Sequence, residues 1–166
     1  MNVITGRTWV FGDGIDTDII IPARYLVLPL DQMKWKAMEP VRADFAESVA
    51  PGDIVVGGRN FGCGSSREQA PAVLRALGVR AIVAESFARI FYRNAINLGL
   101  PVVECPGIAA AATEGETISV DVTEGEVLVE SSGRRLAGSK LPEFLMEIIS
   151  DGGLIEHLLA RGGATP

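Results

Sequence analysis

Between Asp53 and Glu104, short apolar runs alternate with helix-periodic runs, and that succession constrains the fold more than any other feature of the chain. Asp53 to Val56 is a β-branched strand running into Gly57 and Gly58, and Ala70, Val73, Leu74 and Leu77 follow at the i, i+3, i+4, i+7 spacing of one helix face. Arg80 to Ala84 is a continuous apolar run of buried-strand type. A helix capped by Ser86 then runs to about Leu98, Gly99 and Pro101 stop it, and Pro101 to Glu104 is a further strand. Strand, helix, strand, helix, strand implies parallel pairing through crossovers, and ligands of such sheets collect beyond the carboxyl ends of the strands. The predicted class is α/β, with a short, mainly parallel central sheet and flanking helices.

The stretch that joins the first of these strands to its helix reads NFGCGSSREQAP, Asn60 to Pro71. Ser65 followed three residues later by Glu68 has the form of a capping box, and Gly78 stands where a C-terminal cap belongs. A glycine-containing loop at a helix N-terminus also presents N–H groups to a carboxylate or phosphate, and Arg67 adds a cation with fork geometry. The residues alone leave two readings open: Ser65 caps, Ser66 faces solvent and Arg67 pairs with an acid, or the loop holds a small anion. A dinucleotide fingerprint needs a third glycine where Arg67 stands, and a Walker loop needs a Gly-Lys-Ser/Thr ending that is absent, so a small carboxylate fits better than a nucleotide.

Charge supports the anion reading. The chain carries a net charge of −6, which disfavours a general nucleic-acid surface, yet residues 57 to 103 hold Arg59, Arg67, Arg75, Arg80, Arg89 and Arg93 against Glu68 and Glu85. That segment is at +4 and the remainder at −10. Cys63, Cys105 and His157 are too few for a zinc or iron–sulfur ligand set, so metal chemistry has to come from a partner. Cys63, among small neighbours and with no histidine nearby in sequence, reads as a packed free thiol. No run of eighteen apolar residues and no signal-peptide succession is present, and the 166 residues fit one domain, 1–166, expected in the cytoplasm without a membrane or nucleic-acid partner.

Elsewhere, Val3 to Phe11 reads as a first strand with Trp9 and Phe11 on one face. Asp13, Asp16 and Asp18 fail the EF-hand spacing, because Asp18 and Arg24 stand where glycine and glutamate are needed; turn or capping roles are expected of them. Pro22 can start a short helix at Ala23. Residues 31 to 50 look helical or irregular. Thr117 to Val122 and Glu126 to Glu130 form a predicted antiparallel hairpin. Leu141 to Ile149 and Leu154 to Leu159 are closing helices split by Gly152 and Gly153, and 162 to 166 is a frayed tail.

Taken together, GDGIDTDIIIPARYL, NFGCGSSREQAP and ESFARIFYRNAINLGLPV resemble the small subunits of 3-isopropylmalate dehydratase, and so the swivel domain of the aconitase superfamily. The resemblance implies that fold. It also implies a large-subunit partner carrying a [4Fe–4S] cluster whose iron acts as a Lewis acid on the hydroxyl that leaves, with no cofactor or metal bound by this chain. The implied substrate is a small hydroxy dicarboxylate, isomerised by dehydration and rehydration in leucine biosynthesis.

By the same resemblance Ser65 is the base that removes the carbon-bound proton, and Ser66 and Arg67 bind substrate carboxylate, with Gly64 beside them in the substrate loop. Tyr25, Leu26, Val27 and Leu28 match the substrate-recognition loop, and Arg89, Arg93 and Asn94 fall in a motif read as positioning or interface. Homoaconitase-like members carry arginine in the recognition loop, whereas Val27 and Leu28 offer apolar surface suited to an isopropyl group, unless they are core residues. Citramalate and 2,3-dimethylmalate remain open as substrates, as does a non-catalytic carboxylate-binding module. Gln69 departs from the histidine of many relatives.

Overall fold

The protein is described by a computed structural model over residues 3–162. Its seven strands are β1 (Val3–Val10), β2 (Ile54–Gly57), β3 (Ala81–Ala84), β4 (Val102–Glu104), β5 (Thr117–Asp121), β6 (Glu126–Val129) and β7 (Arg134–Ala137). They form one sheet in the order β4-β3-β2-β1-β5-β6-β7. The helices are α1 (Thr17–Ile20), α2 (Leu30–Met33), α3 (Phe45–Ser48), α4 (Gln69–Ala76), α5 (Arg89–Asn97), α6 (Ile108–Ala111), α7 (Glu143–Ser150) and α8 (Leu154–Ala160), with 3₁₀ turns at Ala23–Tyr25 and Lys34–Lys36.

β1 is the seam of the sheet. It runs parallel to β2 (Thr8 opposite Ile54) and antiparallel to β5 (Ile4 opposite Val120), so one half of the sheet is parallel and the other antiparallel. Every residue of β2 and β3 is buried, as their unbroken apolar runs require. Trp9 and Phe11 share a face as predicted: both set their rings edge-on against Phe45, at 5.3 and 5.5 Å between centroids. The predicted hairpin is β5–β6, and it carries a third strand that the sequence hides. In β7 only Leu136 is buried, opposite Val127, and Arg134 and Arg135 give no alternation to read.

α4 ends as its sequence dictates. Gly78, at φ +92°, donates to Arg75 O, and Val79 N reaches back to Leu74 O, a Schellman closure. Pro22 starts the Ala23–Tyr25 turn, and Gly152 and Gly153 separate α7 from α8. Of the predicted tail, residues 163–166 lie outside the described residues. No helix among the described residues is long and apolar enough to cross a membrane.

Candidate functional site

The site grows from the carboxyl ends of β2 and β3, where two loops hold each other. Phe61 pairs with Phe87 in a parallel bridge, Phe61 N donates to Ser86 O, and Ala88 N donates to Phe61 O. Ser86 does not cap α5, contrary to the sequence reading. The helix begins at Arg89 after an extended Ala88, and Ser86 Oγ instead accepts from Asn60 N at 2.8 Å. Beneath the loops, Phe87 and Phe91 stack and Phe61 sets its ring edge-on to both. The loop lies so close to Phe91 that a Cβ on Gly62, itself at φ +83°, would come within 2.1 Å of that ring.

A third loop, between β1 and α1, zips onto the same segment. Gly14 N donates to Arg59 O, Gly62 N to Ile15 O, Thr17 N to Cys63 O, and Arg59 N to the carboxylate of Asp13. Asp16 caps α1 by accepting from Ile19 N at 2.7 Å. The capping role read from the sequence therefore holds for Asp16, whereas Asp13 ties its loop to Arg59 N, 46 residues away. Asp18 does more. It accepts from Ala23 N and also receives Arg67 Nη1, each at 3.1 Å, while the same Nη1 donates to Ile21 O at 3.0 Å. Nη1 carries both bonds, and Nη2 and Nε make no hydrogen bond among the described residues. The hydrogen bond from Arg67, then that from Ala23 N, holds the Asp18 carboxyl below the usual carboxylate range. No local signal marks Asp18 as Arg67's partner, because the two meet only through the fold.

Ser65 is not the cap of α4. That helix starts at Gln69, Glu68 at its boundary makes no side-chain cap bond, and the predicted Ser65–Glu68 capping box does not form. Gly64, Ser65 and Ser66 are exposed, and their backbone N–H groups have no partner among the described residues. Gly64 adopts φ +96°, the left-handed conformation from which anion-binding nests are built. Ser65 and Gly64 form one wall of an open cleft of about 500 Å³ whose other wall is Arg89, Ile90 and Arg93 of α5. Arg67 is not in that wall; it turns toward α1, with 18% of its side chain accessible.

The structure divides the Tyr25–Leu28 stretch. Tyr25 donates its hydroxyl to Glu39 Oε1 at 2.6 Å, and Arg24 bonds the same oxygen at 2.9 Å while lying over the Tyr25 ring. These bonds, Tyr25's first, lower the Glu39 carboxyl below its ordinary range. Leu26 and Leu28 pack half-buried against the core. Only Val27 projects, 88% exposed, so the core reading is excluded for Val27 and holds in part for Leu28. The link from this stretch to the serine loop is Arg67, through Asp18 and Ile21.

A cleft of similar volume, about 520 Å³, lies at the opposite end of the sheet between Val3, Val79, Leu100 and Ile149. The carboxyl ends of α4 and α5 reach it, and their dipoles oppose an anion there. The residues of this chain do not fit an iron–sulfur cluster. Burial pushes the Cys105 thiol up to about 11, Cys63 is a partly exposed free thiol, and no group of three potential ligands forms among the described residues.

Known proteins agree with this architecture along the whole chain. The aconitase C-terminal domain family matches residues 32–106. The isopropylmalate/citramalate isomerase small subunit of Methanocaldococcus jannaschii is 51% identical over 95% of this chain and 94% of its own. The 3-isopropylmalate dehydratase small subunit 1 of Methanopyrus kandleri is 52% identical over 97% and 95%. The methanogen homoaconitase small subunit of Methanothermobacter thermautotrophicus is 49% identical over 95% and 91%. A crystal structure described as 3-isopropylmalate dehydratase (leuD) from Methanocaldococcus jannaschii superposes with a TM-score of 0.90 at 37% identity, covering 96% of this chain and 95% of that one. With half of its residues shared along nearly its whole length, and with the curled parallel and antiparallel sheet of that structure, the chain belongs to the 3-isopropylmalate dehydratase small-subunit family, the swivel-domain branch of the aconitase superfamily.

Proposed function

We propose that residues 1–166 act as one swivel unit, the small subunit of a hydro-lyase that interconverts 2-isopropylmalate and 3-isopropylmalate in leucine biosynthesis. It turns over only when joined to a large subunit. That subunit's [4Fe–4S] cluster supplies Lewis-acid chemistry toward the leaving hydroxyl. This chain supplies the proton chemistry and the carboxylate grip. The observation that carries the reading is the serine loop: Ser65, freed from helix capping, lines an open cleft beside uncommitted N–H donors.

Ser65 Oγ takes the carbon-bound proton of the substrate and returns it to the alkene on rehydration. A serine is a weak base unless activated. A helix terminus contributes at most about 2 kcal/mol, or about 1.5 pKa units, and α4 begins four residues beyond Ser65. Donors from the Gly64–Ser66 backbone and the expulsion of water when the partner closes over the cleft must supply the rest. Ser66 and the Nη2 and Nε groups of Arg67 hold a substrate carboxylate, and Asp18 is a positioning residue that fixes Arg67 from behind.

Relatives named for isopropylmalate/citramalate isomerase, 3-isopropylmalate dehydratase and methanogen homoaconitase stand at 51, 52 and 49% identity, so overall likeness does not choose the substrate. The projecting side chain favours isopropylmalate: Val27 is apolar and exposed, and its own side chain offers an extra carboxylate no charge to pair with. The test is turnover of 2-isopropylmalate, citramalate, 2,3-dimethylmalate and homoaconitate by this chain mixed anaerobically with its cluster-loaded large subunit. Preference for isopropylmalate, with both chains required, is expected. Preference for another malate moves the pathway, and no turnover from a folded complex with an intact cluster leaves a carboxylate-binding module.

A further inference from the structure

We infer that the exposed side of α5 next to Ser65, built around Arg89, Ile90 and Arg93, is where an acidic, partly apolar edge of the large subunit docks. This rests on the reading that the chain works with such a subunit. Arg7, Arg24, Arg42, Arg67, Arg135 and Arg161 each meet a carboxylate within the protein. Six exposed arginines have no ion-pair partner among the described residues, Arg59, Arg75, Arg80, Arg89, Arg93 and Arg134, and three of them, Arg59, Arg89 and Arg93, gather at one end of the sheet. All three follow the carboxyl ends of β2 and β3, on the face that bears the serine loop. No acid stands in the first turn of α5 to balance them.

The shape argues for a protein edge rather than the substrate. The cleft of about 500 Å³ beside Ser65 is joined, through the same two arginines, to a further hollow of about 300 Å³ lined by Phe87, Tyr92 and Glu104. Arg93 stands one helical turn, about 6 Å along the axis, beyond Arg89, so the two guanidinium groups spread over both hollows. Glu104 lines the same hollow, its Oε1 accepting from Phe87 N, and makes no ion pair with either arginine among the described residues. Ile90, 53% exposed between the arginines, gives the groove an apolar floor. Because no metal-binding group forms here, the cluster-bearing subunit has to come to this cleft and exclude water from it. Closure over unpaired guanidinium groups is costly unless the covering surface brings carboxylates, and that requirement selects an acidic edge.

The test measures the affinity of the full chain for the cluster-loaded large subunit at low and high salt, by sedimentation rather than turnover. The R89E/R93E double variant is expected to lose at least 100-fold in affinity at low salt and most of the salt dependence of the wild type, while its melting temperature stays unchanged. R93E alone is expected to lose about tenfold in affinity at low salt. Unchanged affinity in the double variant overturns the proposal, and so does unchanged affinity with a raised KM for the substrate, which would make the arginines substrate ligands. Arginine-dependent assembly of a complex that turns over no malate would uphold the docking surface while removing the proposed reaction.

Discussion

Arg67 and Asp18, 49 residues apart in sequence, meet at 3.1 Å between Nη1 and Oδ1 and join the serine loop to the segment that carries Val27. An arginine anchored on one edge presents the other in a single orientation, and this is the state in which a bidentate grip on a carboxylate loses least entropy.

Asp18→Asn therefore raises KM by roughly 10- to 100-fold, in the range of an outer-shell partner of a binding group. Affinity for the large subunit should not change. Steady-state kinetics at saturating large subunit, with a sedimentation measurement beside them, check this. A fall in kcat at constant KM would assign Asp18 a direct part in proton transfer.

Ser65→Ala separates chemistry from capping. Loss of an N-cap costs about 1 kcal/mol, or roughly 2–4 °C in Tm for a chain of this size. Since Ser65 caps nothing, its alanine variant should melt with the wild type, bind the large subunit normally and retain less than a thousandth of its turnover. A lowered Tm with near-normal kcat would restore the capping role and remove the catalytic one.

Val27→Arg tests the projecting side chain. The position is 88% exposed, so stability should be unaffected. The ratio of kcat/KM for homoaconitate over isopropylmalate should rise by about tenfold or more, as a new charge-assisted bond requires. An unchanged ratio would move substrate choice to another part of the complex.

Asp53 governs acid stability. Burial pushes its carboxyl up, but hydrogen bonds from Ala50 N, Trp9 Nε1 at 2.8 Å and Arg7 Nη2 at 3.1 Å outweigh that and hold it below the ordinary range. A carboxyl lowered in the folded state stabilises fully above its unfolded pKa of about 4, and the contribution is lost as pH falls through the folded value. Asp53→Asn should cost about 2 kcal/mol at neutral pH and lower the urea midpoint by roughly 1 M. Its stability should also fall less steeply below pH 4; an acid limb parallel to the wild type would place the titration elsewhere.

What the sequence determined by itself is whatever depends on a few adjacent residues. The apolar runs at β2 and β3, the Schellman glycine at 78, the proline start at Ala23 and the β5–β6 hairpin all follow from local sterics and hydrogen bonding, which do not change when the rest of the chain folds. The motif order was enough to recognise the family. What only the tertiary structure decided is where each polar side chain spends its hydrogen bonds. Ser65 and Ser86 both had the local form of caps, yet one was left lining a cleft and the other was taken by Asn60 N from a neighbouring loop. Asp18 was one of three similar aspartates until the fold brought Arg67 to it, and the apolar Tyr25–Leu28 stretch divided into inward and outward residues only where the core ended. β7 exists because Leu136 found Val127. A polar group bonds whichever partner reaches it first in space, and that partner is set by the packing of distant elements, which no local pattern encodes.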